Sequence, residues 1–232
     1  VISGTSLLPL QVEIKGEISY PGTYDLQLGD TILDVITKAG GFTKEAYPEA
    51  AVFTRTLVAQ QQKESYMKAA DNLEKTLIDA VATGTEIDGD LYGAVLGFVE
   101  KLRQFEPSGR QVVAVDSYSL NTDPKYNLAM QNGDSLVIPK RSAAISVVGE
   151  VLNPASHIYD EDLSVQDYIE LSGDTTDIAD LSKIFVILPN GQSVIYKKRL
   201  FQDDISEGVL PGSTIVISRN PAPFNWLSLT SI

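Results

Sequence analysis

The chain has 232 residues, with 31 Asp and Glu against 18 Lys and Arg, one His and no Cys. This length suits one large domain or two small ones, and a hydrophobic fraction of 43% excludes wholesale disorder. A formal charge of −13 argues against nucleic-acid binding, because neutralising phosphates requires clustered Lys and Arg. The lack of Cys and the single His exclude thiolate zinc sites, iron–sulfur clusters and multi-histidine metal sites. No run of about 18 apolar residues is present to form a complete membrane-spanning helix.

An internal repeat organises the chain. Residues 16–46 align with residues 149–179 at a constant offset of 133, without a gap. The identical pairs lie on turn residues and helix landmarks: Gly16/Gly149, Glu17/Glu150, Pro21/Pro154, Asp34/Asp167, Ile36/Ile169, Gly40/Gly173, Thr43/Thr176 and Ala46/Ala179. This spacing predicts a duplicated structural unit.

Each copy reads as strand, turn, strand, helix and glycine stop, which is half of a β-grasp. Apolar and polar residues alternate before Gly16 and before Gly149, as in half-buried strands. Asp30-Thr31 and Ser164 are N-cap residues for a short amphipathic helix, which Gly40 and Gly173 end. The predicted inner faces of the two helices are Ile32, Val35, Ile36 and Ala39, and Val165, Tyr168, Ile169 and Ser172.

A closing segment also recurs, as a strand, a polar connection and a final strand entered by a tight turn. It ends in residues 132–139 in the first copy and in residues 210–217 in the second. We therefore predict an α+β chain with two domains, at 8–141 and 142–220.

An insertion at about 57–106 separates the parts of the first copy. Two apolar stripes with spacings of three and four residues predict an antiparallel helical hairpin, its helices joined by a Gly84–Gly89 loop. The stripes are Tyr66, Ala70, Leu73, Leu77 and Ala80, and Leu91, Val95, Phe98, Leu102 and Phe105. Two interpretations stay open: a hairpin packed on itself or on a domain, and a surface that also docks a neighbouring subunit or partner.

Three motifs carry a family resemblance: Val-x-Ile-x-Gly-Glu-x3-Pro-Gly-x-Tyr at 12–24, Lys-Ala-Gly-Gly-Phe-Thr at 38–43 and Ala-Val-Phe-Thr-Arg at 51–55. They resemble an SLBB domain, the soluble-ligand-binding β-grasp. With the second copy, the chain resembles the tandem-SLBB region of bacterial polysaccharide export proteins, the Wza-like and KpsD-like outer-membrane group. The second copy departs from the motif at Ala155 and Asp174, which leaves its turn and its helix exit in question.

The resemblance implies a periplasmic, outer-membrane-associated part of a Gram-negative channel that exports capsular polysaccharide, exopolysaccharide or O-antigen. It implies a non-enzymatic homo-oligomeric ring without cofactors. The implied partners are the polysaccharide, an inner-membrane copolymerase and, through a segment beyond Ile232, the outer membrane. The alternative is a monomeric periplasmic accessory protein that binds polysaccharide or the copolymerase.

The chain ends suggest a fragment. The family's N-terminal export domain is not found before the first strand, and residues 221–232 become uncharged and aromatic. Such a tail either enters a membrane interface or packs on the second domain.

The candidate site residues fall into two groups. A fold and oligomer motif comprises Gly16, Glu17, Pro21, Gly22, Gly40, Gly41, Arg55, Arg110, Gly149, Glu150, Pro154 and Gly173. Possible sugar contacts are Tyr20, Tyr24, Tyr47 and Tyr118, whose rings can stack on a pyranose. We expect Glu17 to pair with an Arg, within the domain or across a subunit boundary.

The sequence assigns no catalytic, cofactor-binding or metal-binding residue. Nine acids lie between residues 142 and 182 without a Lys or Arg, either as a solvated surface or as a face for Ca²⁺ or a basic neighbour. Asp88 is more typical of a helix cap than of a metal ligand. His157 is expected at the surface or on a strand edge, with no second His to support catalysis.

Overall fold

The computed structural model describes residues 10–85, 88–196 and 209–220. It contains two five-stranded sheets of the same design, each with a short helix packed on it. The first unit contains β1 (Gln11–Gly16), β2 (Gly22–Asp25), α1 (Ile32–Lys38), a 3-10 turn (Pro48–Ala50), β3 (Val52–Thr54), α2 (Thr56–Ala82), α3 (Gly89–Gln104), β4 (Arg110–Gln111), α4 (Ser117–Thr122) and β5 (Ser135–Ile138). The second contains β6 (Ala144–Gly149), β7 (Ala155–Ile158), α5 (Val165–Leu171), β8 (Ala179–Ile187), β9 (Ser193–Tyr196) and β10 (Thr214–Arg219).

The two sheets have equivalent strand orders, β2-β1-β5-β3-β4 and β7-β6-β10-β8-β9. In each sheet the first strand of the unit pairs in parallel with the last, β1 with β5 and β6 with β10. The other neighbours pair in an antiparallel arrangement. The predicted α+β class, with a duplicated β-grasp-like unit, is confirmed.

The helices α1 and α5 begin with the same capping box. The hydroxyls of Thr31 and Ser164 accept a hydrogen bond from the backbone N–H three residues later, and the carboxylates of Asp34 and Asp167 accept one from the cap backbone N–H. These reciprocal bonds satisfy N–H groups that the first turn leaves without partners. All eight residues predicted on the inner faces of these helices are buried.

The helical hairpin α2–α3 takes the place of a tight turn. In the second sheet, the turn between β8 and β9 is closed by Leu188 N–H donating to the Gln192 carbonyl at 2.7 Å. In the first sheet the equivalent bond joins Arg55 N–H to the Gly109 carbonyl at 3.0 Å, with the whole hairpin between them. The predicted helical insertion in the first unit is therefore confirmed.

Some elements were not predicted. The long strand β8 and the helix α4, capped by Asp116, lie in segments where the sequence analysis assigned no strand or helix. The predicted tail at 221–232, like residues 8 and 9 of the first predicted domain, lies outside the described residues.

Candidate functional site

The strongest repeated feature is a Gly-Glu corner, formed by residues 16–17 and by residues 149–150. Gly16 and Gly149 have φ values of +85° and +95°, in the left-handed region. A Cβ at either position would overlap the backbone of the parallel partner strand, at Ile138 or Ile217. Only glycine allows this approach, so both glycines are fixed by strand geometry.

In both Gly-Glu corners, the Glu carboxylate accepts a hydrogen bond from an equivalent threonine. Thr43 donates its hydroxyl to Glu17 at 2.6 Å, and Thr176 donates to Glu150 at 2.9 Å. Within the described structure, Thr43 takes the place of the expected Arg as the partner of the Glu17 carboxylate, and the pairing across a subunit boundary stays a prediction. The signal was available, since Thr43 and Thr176 are themselves identical in the repeat.

Arg55 pairs instead with Asp134, a residue that the sequence analysis did not select. Its Nε and its terminal nitrogen lie 2.8–3.2 Å from the carboxylate oxygens, and the Asp134 side chain is fully buried. Arg55 also donates to the Ala129 carbonyl at 2.8 Å. The pair ties the end of β3 to the turn before β5.

Arg110 lies at the contact between the two units. Its guanidinium packs against Gly191, and its terminal nitrogen lies 3.5 Å from the Pro189 carbonyl. Its Nε is buried and has no hydrogen-bond partner. Arg110 thus places the edge of the first sheet against the β8–β9 turn, a role in fold rather than in catalysis.

The remaining motif residues shape turns and helix exits. Pro21, Gly22 and Pro154 are exposed between the first two strands of each unit. Gly40, Gly41 and Gly173 have positive φ values after α1 and α5. Asp174 adopts φ +72° in place of a second glycine, and its carboxylate accepts the Thr175 N–H at 2.7 Å. The helix exit that the sequence left in question therefore matches that of the first copy.

The four candidate tyrosines occupy different environments. Tyr20 and Tyr118 are 69% and 78% exposed, so their rings are free to stack on a sugar. Tyr24 donates its hydroxyl to the Tyr20 carbonyl at 2.5 Å. Tyr47 is buried beneath Arg141, and burial, with a smaller contribution from Glu49, raises the pKa of its hydroxyl to about 12. Its ring is not available to a ligand.

Several acidic residues of the second unit serve local structure. Asp167 caps α5, Asp180 pairs with Lys183, and Glu150 holds Thr176. In residues 10–85, 88–196 and 209–220, no group of three His, Asp or Glu side chains is arranged to hold a metal ion. Asp88 caps α3, as its sequence context indicates.

His157 lies on the edge strand β7 and contacts the hydroxyl of Ser172 at 2.8 Å. Ser172 is fully buried, so this hydroxyl is closed to a substrate and the contact is structural. A shallow cavity of about 140 Å³ lies between α5 and β8. It is smaller than the roughly 300 Å³ at which ligand pockets begin.

The helical hairpin exposes several large apolar side chains. Only three apolar side chains of its helices are buried: Ala70, Leu77 and Val99. The predicted stripes are thus only half covered by one another, and Leu91 and Phe98 remain 57% and 53% exposed. No helix within the described ranges has the length and apolar character needed to cross a bilayer.

Comparison with known proteins agrees with the duplicated architecture. Residues 11–68 and 145–197 each match the SLBB domain family. Two Escherichia coli proteins, both named polysialic acid transport protein KpsD, are 26% identical over 208 residues and 27% identical over 185 residues. These alignments cover 90% and 80% of this chain, but the chain spans only about a third of the length of either relative.

Proposed function

From the premise that this chain belongs to the SLBB-domain polysaccharide export proteins, we propose that it forms the periplasmic part of an outer-membrane channel for capsular polysaccharide, exopolysaccharide or O-antigen. Several copies assemble as a ring, and the polymer passes through the lumen without being transformed. An inner-membrane copolymerase delivers the polymer in this scheme.

The observation that carries the proposal is the similarity over 90% of the chain to proteins named for polysialic acid transport. The duplicated fold agrees with it, because two rigid β-grasp-like units in one short chain suit the stacked layers of a tube. The cavity between α5 and β8 in the described part of the second unit is smaller than ligand pockets usually are.

Two of the buried polar groups are engaged in the fold. The buried Asp134 is neutralised by Arg55, and the Ser172 hydroxyl is closed to solvent. An acidic chain with a formal charge of −13 would also retain an anionic polymer weakly, which favours passage over storage.

If the polymer touches this part of the channel, Tyr20 and Tyr118 are the contacts that their exposure allows. Aromatic rings stack on the apolar face of a sugar without holding it tightly. Substitution of both by Ala should weaken binding of an oligosaccharide of the exported polymer. The matched control is Tyr24→Phe, which removes a hydroxyl already bonded to the Tyr20 carbonyl.

Two measurements test the proposal. The mass of the full-length protein in detergent should correspond to a closed oligomer; a stable monomer would favour the accessory-protein alternative. Cells without the gene should retain polymer in the periplasm and should display it again when the gene is restored. Normal surface polymer in the deletion strain would contradict the proposed transport function.

A further inference from the structure

We propose that the helical hairpin of one copy packs side by side on the hairpin of the next copy, through two different flanks of α2–α3. This inference deepens the proposed function, because it names the surface through which the ring would form. The occupant of the exposed apolar face is thus a second copy of the chain.

The hairpin leaves many large apolar side chains open to solvent. The two helices pack chiefly on each other, through the narrow stripe that contains Ala70, Leu77 and Val99. Outside that stripe, the large apolar residues of the two helices that are at least 36% exposed are Leu57, Tyr66, Met67, Leu73, Ile78, Val81, Leu91, Tyr92, Leu96 and Phe98. Exposed apolar side chains clustered in this way are typical of an interaction site.

The first flank of the hairpin consists of Tyr66, Leu73, Leu91 and Phe98. Helical periodicity places Tyr66 and Leu73 on one side of α2, and Leu91 and Phe98 on one side of α3. The Tyr66 ring meets Phe105 at 5.0 Å between centroids, which puts these two sides next to each other.

The second flank consists of Met67, Ile78, Tyr92 and Leu96, on the opposite side of both helices. It is marked by Arg103, which donates to Asp71 at 2.9 Å and to Glu74 at 2.6 Å. Arg103 offsets one of these two acidic charges within the hairpin, so covering the three side chains would bury a net charge of −1 instead of −2.

Two apolar flanks on opposite sides indicate the type of contact. A two-fold symmetric dimer would cover the same flank in both copies and leave the other flank in water. A head-to-tail contact, first flank against second flank, covers both flanks of every copy. Such a contact closes into a ring when the rotation between copies closes.

The size of the hairpin is sufficient for this contact. At 1.5 Å per residue, α2 (27 residues) and α3 (16 residues) are about 40 Å and 24 Å long. With helices about 10 Å wide, one flank offers roughly 600 Å², so that a contact between two copies buries about 1,200 Å². That area is at the lower end of specific protein interfaces.

Charge favours another copy over a strongly charged partner. The two helices carry five basic residues and six acidic residues, whereas the whole chain has a formal charge of −13. The hairpin is thus nearly neutral, and two copies meet there with little of the repulsion that their acidic surfaces would create. The charged residues are Lys63, Lys68, Lys75, Lys101 and Arg103, and Glu64, Asp71, Glu74, Asp79, Asp90 and Glu100.

Cross-linking tests the proposal directly, because the chain contains no Cys. Phe98→Cys labels the first flank and Ile78→Cys the second. With bis-maleimides of two lengths, an equimolar mixture of the two variants should give a covalent dimer, and the double variant should give a ladder of multimers. Each single variant alone should stay monomeric on a denaturing gel.

The other outcomes overturn the proposal. A dimer from Phe98→Cys alone would mean a two-fold contact, and no cross-link in a mixture with native circular dichroism would mean that the flanks do not meet. The matched controls are Leu28→Cys and Tyr118→Cys, which are exposed outside the hairpin and should not cross-link. Cross-linking of these controls to the same extent would indicate random collision and would also overturn it.

A second measurement separates this inference from the proposed function. Phe98→Glu should weaken self-association at least tenfold in sedimentation equilibrium, with Tyr118→Glu as the control that leaves it unchanged. A full-length ring without hairpin cross-links would remove this inference alone. A full-length monomer would remove the ring and this inference together.

Discussion

Asp134 is sealed from solvent and receives hydrogen bonds from the guanidinium of Arg55, 79 residues earlier in the chain, and from the Gln131 backbone N–H. The second unit has different residues at the two equivalent positions. By strand register, Leu188 stands where the first unit has Arg55, and Ser213 where it has Asp134. The Ser213 hydroxyl is buried without a hydrogen-bond partner. These two neighbouring positions of the fold therefore accept either an ion pair or a mostly apolar pair.

This difference predicts that residues copied from the second unit can restore the stability of a first unit that lacks the ion pair. Asp134→Ala should cost about 3 kcal/mol of unfolding free energy, because it leaves the largely buried Arg55 without its counter-charge. The double variant Arg55→Leu/Asp134→Ser, which copies the second unit, should recover most of that loss. Urea unfolding would measure both. As a control, Glu13→Gln breaks an exposed pair with Lys15 and should cost less than about 1 kcal/mol.

The Gly-Glu corner predicts that two nearby glycines differ in how much stability is lost when each is replaced by Ala. Gly16→Ala should destabilise the chain by at least about 2 kcal/mol, because the new methyl group meets the Ile138 backbone and φ is positive. Gly149→Ala should behave alike. Gly22→Ala is the control, since nothing lies within 4 Å of the place that its methyl group would occupy and its φ is not positive. Equal melting temperatures for Gly16→Ala and Gly22→Ala would contradict this account.

Asp174 predicts a stabilising substitution. Asp174→Gly should raise the unfolding free energy by roughly 0.5–1 kcal/mol, since a residue with a Cβ is strained at φ +72°. The gain is smaller than the full strain because the bond to Thr175 N–H is lost. The reciprocal change, Gly41→Asp, places a side chain at φ +77° and should lower stability. Thermal unfolding of the two variants should therefore shift in opposite directions.

Tyr47 has a hydroxyl that the fold buries but does not use. Tyr47→Phe should be neutral or slightly stabilising near pH 7, because no hydrogen bond is lost. Tyr47→Ala should cost about 3 kcal/mol by leaving a cavity. Since the folded pKa of Tyr47 is raised to about 12, its contribution is present below pH 10 and is lost as the pH rises toward 12. Tyr47→Phe should remove that part of the alkaline decline in stability.

The capping boxes predict a loss of folding stability at acid pH. Hydrogen bonds from Thr31 and Ser164 lower the pKa of Asp34 and Asp167 below the usual 3.8. The stability from these acids is present above pH 3.8 and is lost as the pH falls through their folded pKa values. Asp34→Asn and Asp167→Asn should therefore flatten the melting-temperature profile below pH 4, and an unchanged profile in both variants would contradict this account.

The sequence was sufficient for features that depend on neighbours in the chain. The Gly-Glu corners, the helix caps and the inner faces of α1 and α5 are all local patterns, and the repeat showed each of them twice. It was insufficient for pairs that only the folded sheet brings together. Arg55 and Asp134 are an example, and so is the packing of Arg110 against Gly191.

The hairpin marks a second limit of sequence analysis. Its stripes predicted two helices correctly, but a periodic stripe does not reveal whether its partner is in the same chain. The positions of Leu91 and Phe98 became informative only when the structure showed how little of them α2 covers.

The site of the insertion determines how freely this connection can vary in length. The hairpin leaves and re-enters the sheet across a single hydrogen bond, from Arg55 N–H to the Gly109 carbonyl, where the sister unit needs only a short turn. A segment inserted at such a point can be lengthened, shortened or exchanged without disturbing the strand register on either side. The two units thus share one sheet design with different connections: the second closes it with a short turn, and the first with a long segment that can make contacts of its own.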